Sequence, residues 1–358
     1  MSTLGKEMWL FRREEASGGA EIAAKRLVSQ FETLDYEVTR VTAGERIGEL
    51  QVKGDRGPGW LRLVKYANSA NRLIAEDSQR ISFSLERGIK ADIYRAGEGV
   101  HLAWLKRKGL AKSLLSFRPL HPVAITLEAI TMKAAKCIVA NSEMIGAEIK
   151  QYYPQCAEKV RVIENGYDPS RFHISDSNNL DPEDTARRLV FAGNGWDRKG
   201  LEQALQLLRH LPGEWKLDVL GKGDQSRFEM IAESLKVRDR VKFKGSVADI
   251  ETYYHNSEAL VLPTTYDPFS NACLEAAACG CPVITTNQNG FAALIDHRRN
   301  GFILGEDAGS ISDCAEWCLT CLPLSKEFVA SGVSNYTIED ETRKYREVFA
   351  MVAGKDSR

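Results

Sequence analysis

VLPTTYDPFSNACLEAAACGCPVITT, residues 261–286, decides the fold of this chain. Val261 and Leu262 close a buried strand that runs into a Pro/Thr turn, and Asp267 sits inside that turn. The small-residue loop Phe269-Ser270-Asn271-Ala272 then opens a helix that carries Glu275. Gly280 breaks the helix, and Pro282-Val283-Ile284 begins the next strand. A strand, a loop of small residues and a helix N-terminus together make an anion site. The N–H groups of the first turn have no partner inside the helix, and the helix dipole favours negative charge there. Asp267 and Glu275, eight residues apart, bracket the site. Such a pair suits a ligand with phosphates in the middle and hydroxyls on either side, which describes a sugar nucleotide. The other reading of the same residues is an ordinary βαβ unit whose Glu is a solvated helix residue.

Outward from this stretch, strand and helix patterns alternate along nearly the whole chain. Met8 to Phe11 reads as a buried strand, followed by the turn Ser17-Gly18-Gly19 and an amphipathic helix from about Ala20 to Leu34. Glu37 to Thr42, Ala135 to Ala140 and Val160 to Ile163 read as further strands, with Asn141-Ser142 placed to cap a helix. Residues 173–187 are polar and aperiodic and read as a linker. A second alternating series starts at Leu189 and continues through the opening stretch. Alternation of this kind predicts parallel sheets with right-handed crossovers, hence an α/β protein of two doubly wound Rossmann-like domains. Ligands in such folds sit at the carboxyl ends of the strands, so a cleft between facing domains is the expected site.

Composition narrows the function classes. With 358 residues the chain is long enough for about two domains. A net charge of −1 argues against a dedicated nucleic-acid binder. No apolar run approaches the length of a membrane span, and the charged N-terminal stretch lacks a signal-peptide core, so a cytoplasmic location is expected. Cys314, Cys318 and Cys321 fall on one helical stripe and read as buried free thiols rather than metal ligands.

Several other segments could carry chemistry. Gly193-Asn194-Gly195-Trp196-Asp197-Arg198-Lys199-Gly200 follows a strand and precedes a helix. Its two adjacent cations suit a diphosphate, Arg198 through its fork and Lys199 as a point charge; a solvated turn is the plainer reading. Gly221 in LGKGD and Gly18-Gly19 in the first domain would let backbone approach a ligand closely. Glu98 lies between two glycines, uncovered enough to face a reactant or to form a structural salt bridge. No D-x-D pair and no metal-like His spacing is present, so no metal cofactor is expected. From Trp104 to Arg118 the basic residues Lys106, Arg107, Lys108, Lys112 and Arg118 interleave with Leu, Trp and Phe, with no acidic residue among them. That segment reads either as a patch for an anionic membrane surface or as an ordinary surface helix.

Taken in order, SGGAE at 17–21, VANS at 139–142, VIENGYD at 162–168, FAGNGWDRKG at 191–200, LGKGD at 220–224, VKFKGSV at 241–247 and DPFSNACLEAAACGCPVI at 267–284 resemble a family 4 glycosyltransferase of the GT-B fold. The resemblance implies an N-terminal acceptor domain over 1–168, completed by a C-terminal helix within about 338–358, and a nucleotide-sugar domain over 169–337. It assigns Glu275 to the donor ribose, Arg198 and Lys199 to the diphosphate, and the backbone of Ser270, Asn271 and Ala272, with Gly193, to the phosphates. The family's first Glu of E-x7-E is Asp267 here, one methylene shorter. ADIYRAGEGVHLAWLKR is similar to bacterial lipopolysaccharide-core glucosyltransferases that act on heptose, and it aligns their acceptor-side acid with Glu98. The implied reaction is retaining transfer of a hexose, expected to be glucose, from a UDP-sugar to a hydroxyl of a lipopolysaccharide core or related glycolipid. The implied place is the inner face of the cytoplasmic membrane. A GT-B protein that only binds nucleotide or polysaccharide, and a GT-B epimerase or phosphorylase, remain the alternatives.

Overall fold

The computed structural model describes residues 6–13, 19–43, 49–54, 56–107, 120–175, 186–307 and 309–354. Gly18, Lys108, Lys112 and Arg118, and residues 176–185 of the expected linker, lie outside the described residues. The chain divides into two compact units, Met1–Glu164 with Glu339–Arg358, and Asn165–Ile338.

The first unit is a parallel sheet of β1 (Lys6–Phe11), β2 (Tyr36–Ala43), β3 (Leu50–Val52), β4 (Ile81–Ser84), β5 (Ile93–Arg95), β6 (Cys137–Ala140) and β7 (Val160–Val162), in the order β3-β2-β1-β4-β5-β6-β7. The run Met8-Trp9-Leu10-Phe11 shows why β1 is central. Successive side chains of a strand point to opposite faces, and helices cover both faces of a parallel sheet. Met8 and Leu10 pack with Phe31, Phe83, Tyr345 and Phe349 on one face. Trp9 and Phe11 pack with Val41, Tyr66 and Ile89 on the other. The C-terminal helix Ile338–Gly354 closes the first face, with its Tyr345 and Phe349 rings 5.2 and 4.9 Å from Phe31. After β6 the hydroxyl of Ser142 caps the helix Glu143–Tyr152 by accepting from the Ile145 N–H at 3.2 Å, as the sequence suggests.

The second unit is a parallel sheet of β8 (Arg187–Ala192), β9 (Trp215–Leu220), β10 (Val241–Gly245), β11 (Ala259–Leu262), β12 (Val283–Thr286) and β13 (Gly301–Leu304), in the order β10-β9-β8-β11-β12-β13. Both sheets are therefore doubly wound, as the alternation predicts. The strand order reverses between β1 and β4 in the first and between β8 and β11 in the second. Loops leaving the carboxyl ends of those paired strands diverge and open a crevice.

Two expectations change. Cys314 and Cys318 are buried, but Cys321 is exposed, because the helix Ser310–Cys321 ends at that residue. Lys106 and Arg107 do end a basic helix, His101–Arg107, but Arg107 has an acidic neighbour from another helix. The Arg107 guanidinium lies 2.5 Å from the Glu148 carboxylate, and the Lys106 ammonium lies over the Tyr152 ring at 4.8 Å. Sequence spacing hid this because Glu148 and Tyr152 belong to a helix some forty residues on. Among the described residues no helix is long and apolar enough to cross a membrane.

Candidate functional site

In the second unit the switch point between β8 and β11 gathers most of the expected donor residues. β8 ends at Ala192, and the Gly193 N–H donates to Leu220 O at 3.1 Å, so the loop after β8 lies against the end of β9. Gly221 has φ +98°, and a Cβ there would fall 2.2 Å from Gly193 O, so only glycine lets the two loops meet. The short helix Trp196–Lys199 follows and stops at Gly200, whose φ of +81° is left-handed. A Cβ on Gly200 would fall 2.1 Å from Pro263 O. That close approach brings Arg198 and Lys199 onto the segment leaving β11.

The fit is made by backbone as well as charge. The Arg198 carbonyl accepts from the Thr265 N–H and the Thr264 hydroxyl, both at 2.9 Å. The Arg198 guanidinium donates to Tyr266 O at 2.9 Å and lies 3.9 Å from Asp267. The Lys199 ammonium donates to Asp267 Oδ2 at 2.5 Å. Asp267 is fixed from the other side, its N–H donating to Gln288 O at 3.0 Å and its carbonyl accepting from the Gly290 N–H at 2.9 Å.

The helix Asn271–Ala278 begins just beyond. Its N-cap, Ser270, makes no side-chain capping bond, which leaves the first-turn N–H groups directed out of the helix end. Asn271 accepts from the Asn165 side-chain amide at 2.5 Å. Asn289, buried, holds this corner together. Its Oδ1 accepts from the N–H groups of Ser270 and Phe291 at 3.2 and 3.1 Å, and its amide donates to Thr285 Oγ1 at 3.0 Å. Ala272 and Glu275 are half-buried on the same helix. Arg171, hydrogen-bonded to Glu251 at 2.8 Å, has its pKa raised chiefly by that bond, and the Glu275 charge adds to it. Burial pushes the Cys273 thiol up to about 12, so a neutral thiol, not a thiolate, lies under this helix.

Glu98 belongs to the first unit, at the turn after β5. Its carboxylate pairs with Arg12 at 3.3 Å and Arg87 at 3.0 Å, so the salt-bridge reading of this residue is the observed arrangement. Burial alone would raise the Glu98 pKa, but Arg87 and then Arg12 more than reverse this and hold it below its ordinary value. The neighbouring Glu86, 3.3 Å from Arg12, is pushed up by burial and by the Glu98 charge. Arg87 also donates to the buried Glu128 at 2.9 Å, which accepts from Tyr153 Oη at 2.9 Å. Gly19 opens the helix Gly19–Glu32 after β1. Sequence reading singled out neither Arg12 nor Arg87, although both follow the carboxyl ends of β1 and β4, where a basic residue is a usable signal. Among the described residues no group of three or more His, Cys, Asp or Glu side chains is arranged to hold a metal ion.

Residues 17–171 match the model of glycosyltransferase family 4, and residues 174–332 match that of glycosyl transferases group 1. An uncharacterized glycosyltransferase, MJ1607 of Methanocaldococcus jannaschii, is 28% identical over 180 residues, 46% of this chain and 45% of that protein. The lipopolysaccharide core biosynthesis glycosyltransferase LpsE of Rhizobium meliloti is 27% identical over 169 residues, 47% of this chain and 49% of that protein. The chain thus spans about half the length of the curated relatives it matches. Among solved structures, WaaG, a glycosyltransferase involved in lipopolysaccharide biosynthesis, superposes with a TM-score of 0.78 at 18% identity, over 96% of this chain and 99% of that one. HepE of Anabaena, solved with UDP and glucose, superposes with a TM-score of 0.70 at 14% identity, over 97% of this chain and 100% of that one. At these identities the structures share the GT-B fold with this chain.

Proposed function

Because the chain belongs to the glycosyltransferases, a family 4 domain followed by a group 1 domain, we propose that it transfers a hexose from a UDP-sugar to a sugar hydroxyl of a lipopolysaccharide core or related glycolipid. The observation that carries the donor half is the convergence of Arg198, Lys199 and Asp267 beside the helix N-terminus at 271. First-turn N–H groups and two cations form a cradle for a diphosphate, and Glu275, one helical turn further in, is placed to accept from a ribose hydroxyl.

As the glycosidic bond to the diphosphate breaks, negative charge grows on the leaving UDP. Lys199 and Arg198 are the groups that stabilise it, in place of a metal ion. Asp267, held against Lys199, is the carboxylate offered to the donor sugar. Glu98, kept ionised by Arg12 and Arg87, is a weak base but a ready hydrogen-bond acceptor, which suits it to orient an acceptor hydroxyl. Retention at the anomeric carbon and glucose as the hexose are part of this reading, on the family resemblance. So is a place at the inner face of the cytoplasmic membrane, where the names of LpsE and WaaG point to a lipid-linked product.

UDP release from UDP-glucose in excess EDTA, with and without a deep-rough lipopolysaccharide acceptor, tests the proposal. Acceptor-dependent release that EDTA leaves unchanged is expected. Activity restored only by Mg²⁺ or Mn²⁺ would overturn the metal-free reading, and absence of UDP binding by calorimetry would overturn the donor site itself.

A further inference from the structure

β5 ends in a charge on a sheet face that is otherwise apolar. Ile93 and Arg95 alternate onto the same side of the strand, the side that the helix Ile338–Gly354 covers. Ile93 clusters there with Phe83, Tyr345 and Phe349. Arg95 is buried beside them, at 5% exposed. A guanidinium in such a place is costly unless it is hydrogen-bonded. Arg95 Nε donates to Tyr345 Oη at 3.0 Å. Burial pushes the Tyr345 pKa up, so the hydroxyl stays protonated and offers a lone pair to the cation.

Tyr345 is itself fixed. It is fully buried, with its ring 5.2 Å from Phe31 and 5.8 Å from Phe83. Glu341 lies one turn earlier on the same helix face, also buried. Its carboxylate accepts from the Gln30 amide at 3.1 Å and pairs with Arg26 at 3.1 Å, both on the helix Gly19–Glu32. Two helices therefore set the position of the Tyr345 hydroxyl. The far end of Arg95 meets the turn that leaves β5. The Ala96 N–H donates to Val139 O at 2.8 Å, and the Gly99 N–H closes the turn on Ala96 O at 3.1 Å. Gly97 and Glu98 are its central residues. A Cβ on Gly97 would fall 2.6 Å from Arg95 Nη1, so the guanidinium lies directly against the turn. Arg87 Nη2 donates to Gly99 O at 3.2 Å, and the Asn141 amide donates to Gly97 O at 3.4 Å.

We propose that Arg95 and Tyr345 are positioning residues that fix the turn carrying Glu98, so that the C-terminal helix sets where the acceptor-side carboxylate stands. The inference rests on the reading of Glu98 as the group that orients the acceptor hydroxyl. Arg12 and Arg87 reach the Glu98 carboxylate itself, which is half exposed, and ion pairs of that kind hold a side chain only weakly. Arg95 supports the backbone from which the side chain projects, and it does so from a buried place. Backbone support matters here because misplacing an orienting group by about 1 Å can cost about 10²-fold in rate. Neither Arg95 nor Tyr345 needs to touch a reacting atom to have that effect.

The test uses the full chain and the variants Tyr345→Phe, Gly97→Ala, Glu98→Gln and Tyr345→Phe/Glu98→Gln. Tyr345→Phe keeps the packed ring and removes the hydroxyl. Gly97→Ala leaves the C-terminal helix untouched and puts a methyl group where the Arg95 guanidinium lies. Hydrogen exchange reads the turn directly: the Ala96 and Gly99 amides should exchange at least about tenfold faster in Tyr345→Phe, with those of β1 unchanged. Acceptor-dependent UDP release from UDP-glucose should fall about tenfold or more in Tyr345→Phe and in Gly97→Ala, with UDP affinity equal to wild type. In the Glu98→Gln background Tyr345→Phe should add no further loss, because it acts through that carboxylate. Unchanged exchange in the turn would overturn the inference, and so would full turnover in Tyr345→Phe where Glu98→Gln is impaired. An equal loss in the Glu98→Gln background, or a matching loss of UDP affinity, would reduce Tyr345 to packing and overturn it too. If Glu98→Gln keeps full turnover, the acceptor reading falls, and the exchange result alone decides whether the brace stands.

Discussion

The Lys199 ammonium lies 2.5 Å from a carboxylate oxygen of Asp267, and the two side chains are only 13% and 10% exposed. Arg198, next in the chain, is 46% exposed and reaches the same carboxylate only at 3.9 Å. Two adjacent cations that the sequence treats alike are therefore unlike. Removing Lys199 strands a largely buried charge, whereas removing Arg198 does not. Lys199→Ala is expected to lower both the thermal midpoint and kcat/KM. Arg198→Ala should cost about 10²–10³ in kcat/KM with a much smaller change in midpoint. Paired melting curves and donor kinetics check this, and equal midpoints for the two variants would show that the Lys199–Asp267 pair carries no stability.

Asp267→Asn keeps the size of the side chain and removes its charge. Lys199 would then have no anionic partner but a bound diphosphate. UDP affinity should hold or tighten while turnover of UDP-glucose falls. A loss of UDP affinity would place Asp267 in the frame of the phosphate cradle rather than beside the donor sugar.

Glu275→Ala removes a carboxylate from the helix Asn271–Ala278. A charged hydrogen bond is worth roughly 1.5–3 kcal/mol, so donor KM should rise by about ten- to a hundredfold with kcat less affected. Calorimetry separates the sources: UDP should weaken, but ribose-free pyrophosphate should not. Equal loss for both ligands would mean that Glu275 shapes the helix end instead.

The doubly wound architecture was legible because its central strands are continuous apolar runs, of which MWLF and ALVL are examples. The short strands were not. β4 is Ile-Ser-Phe-Ser, and its serines look solvent-facing, yet both are buried. They are tolerated because Ser82 donates to Asp92 on the loop before β5 at 2.6 Å, and Ser84 donates to Glu86 O at 2.9 Å within the turn that follows the strand. The meeting of the loops around Asp267 was legible for a related reason: glycines at 193 and 200 and the small residues at 270–272 mark backbone geometry directly. Asn289 was missed, since one amide in TTNQNGF gives no local sign that it ties Ser270 to Phe291. Glu98 was read with two outcomes open, and only the fold could bring Arg12 and Arg87 to it from 86 and 11 residues away.

The same neighbourhood predicts how the first unit responds to acid. His101 Nε2 lies 3.2 Å from His121 Nδ1. Burial first, then the charges of Arg87 and His121, push the His101 pKa down to about 4, against a weaker upward pull from Glu98. An unfolded histidine titrates near 6.5, so between about pH 6.5 and 4 the unfolded chain takes up a proton that the folded one refuses. Stability must fall as pH drops through that window. Glu98 acts in the same direction lower down: its depressed pKa gives stability that is present above the ordinary carboxylate value and lost as pH falls through the folded one. Half of its side chain is exposed, so solvent screens its pairs and the histidine dominates above pH 5. His101→Gln should therefore flatten the fall in thermal midpoint between pH 7 and 5 relative to wild type. Parallel midpoint curves for the two proteins would show that His101 is protonated as readily in the folded chain as in the unfolded one.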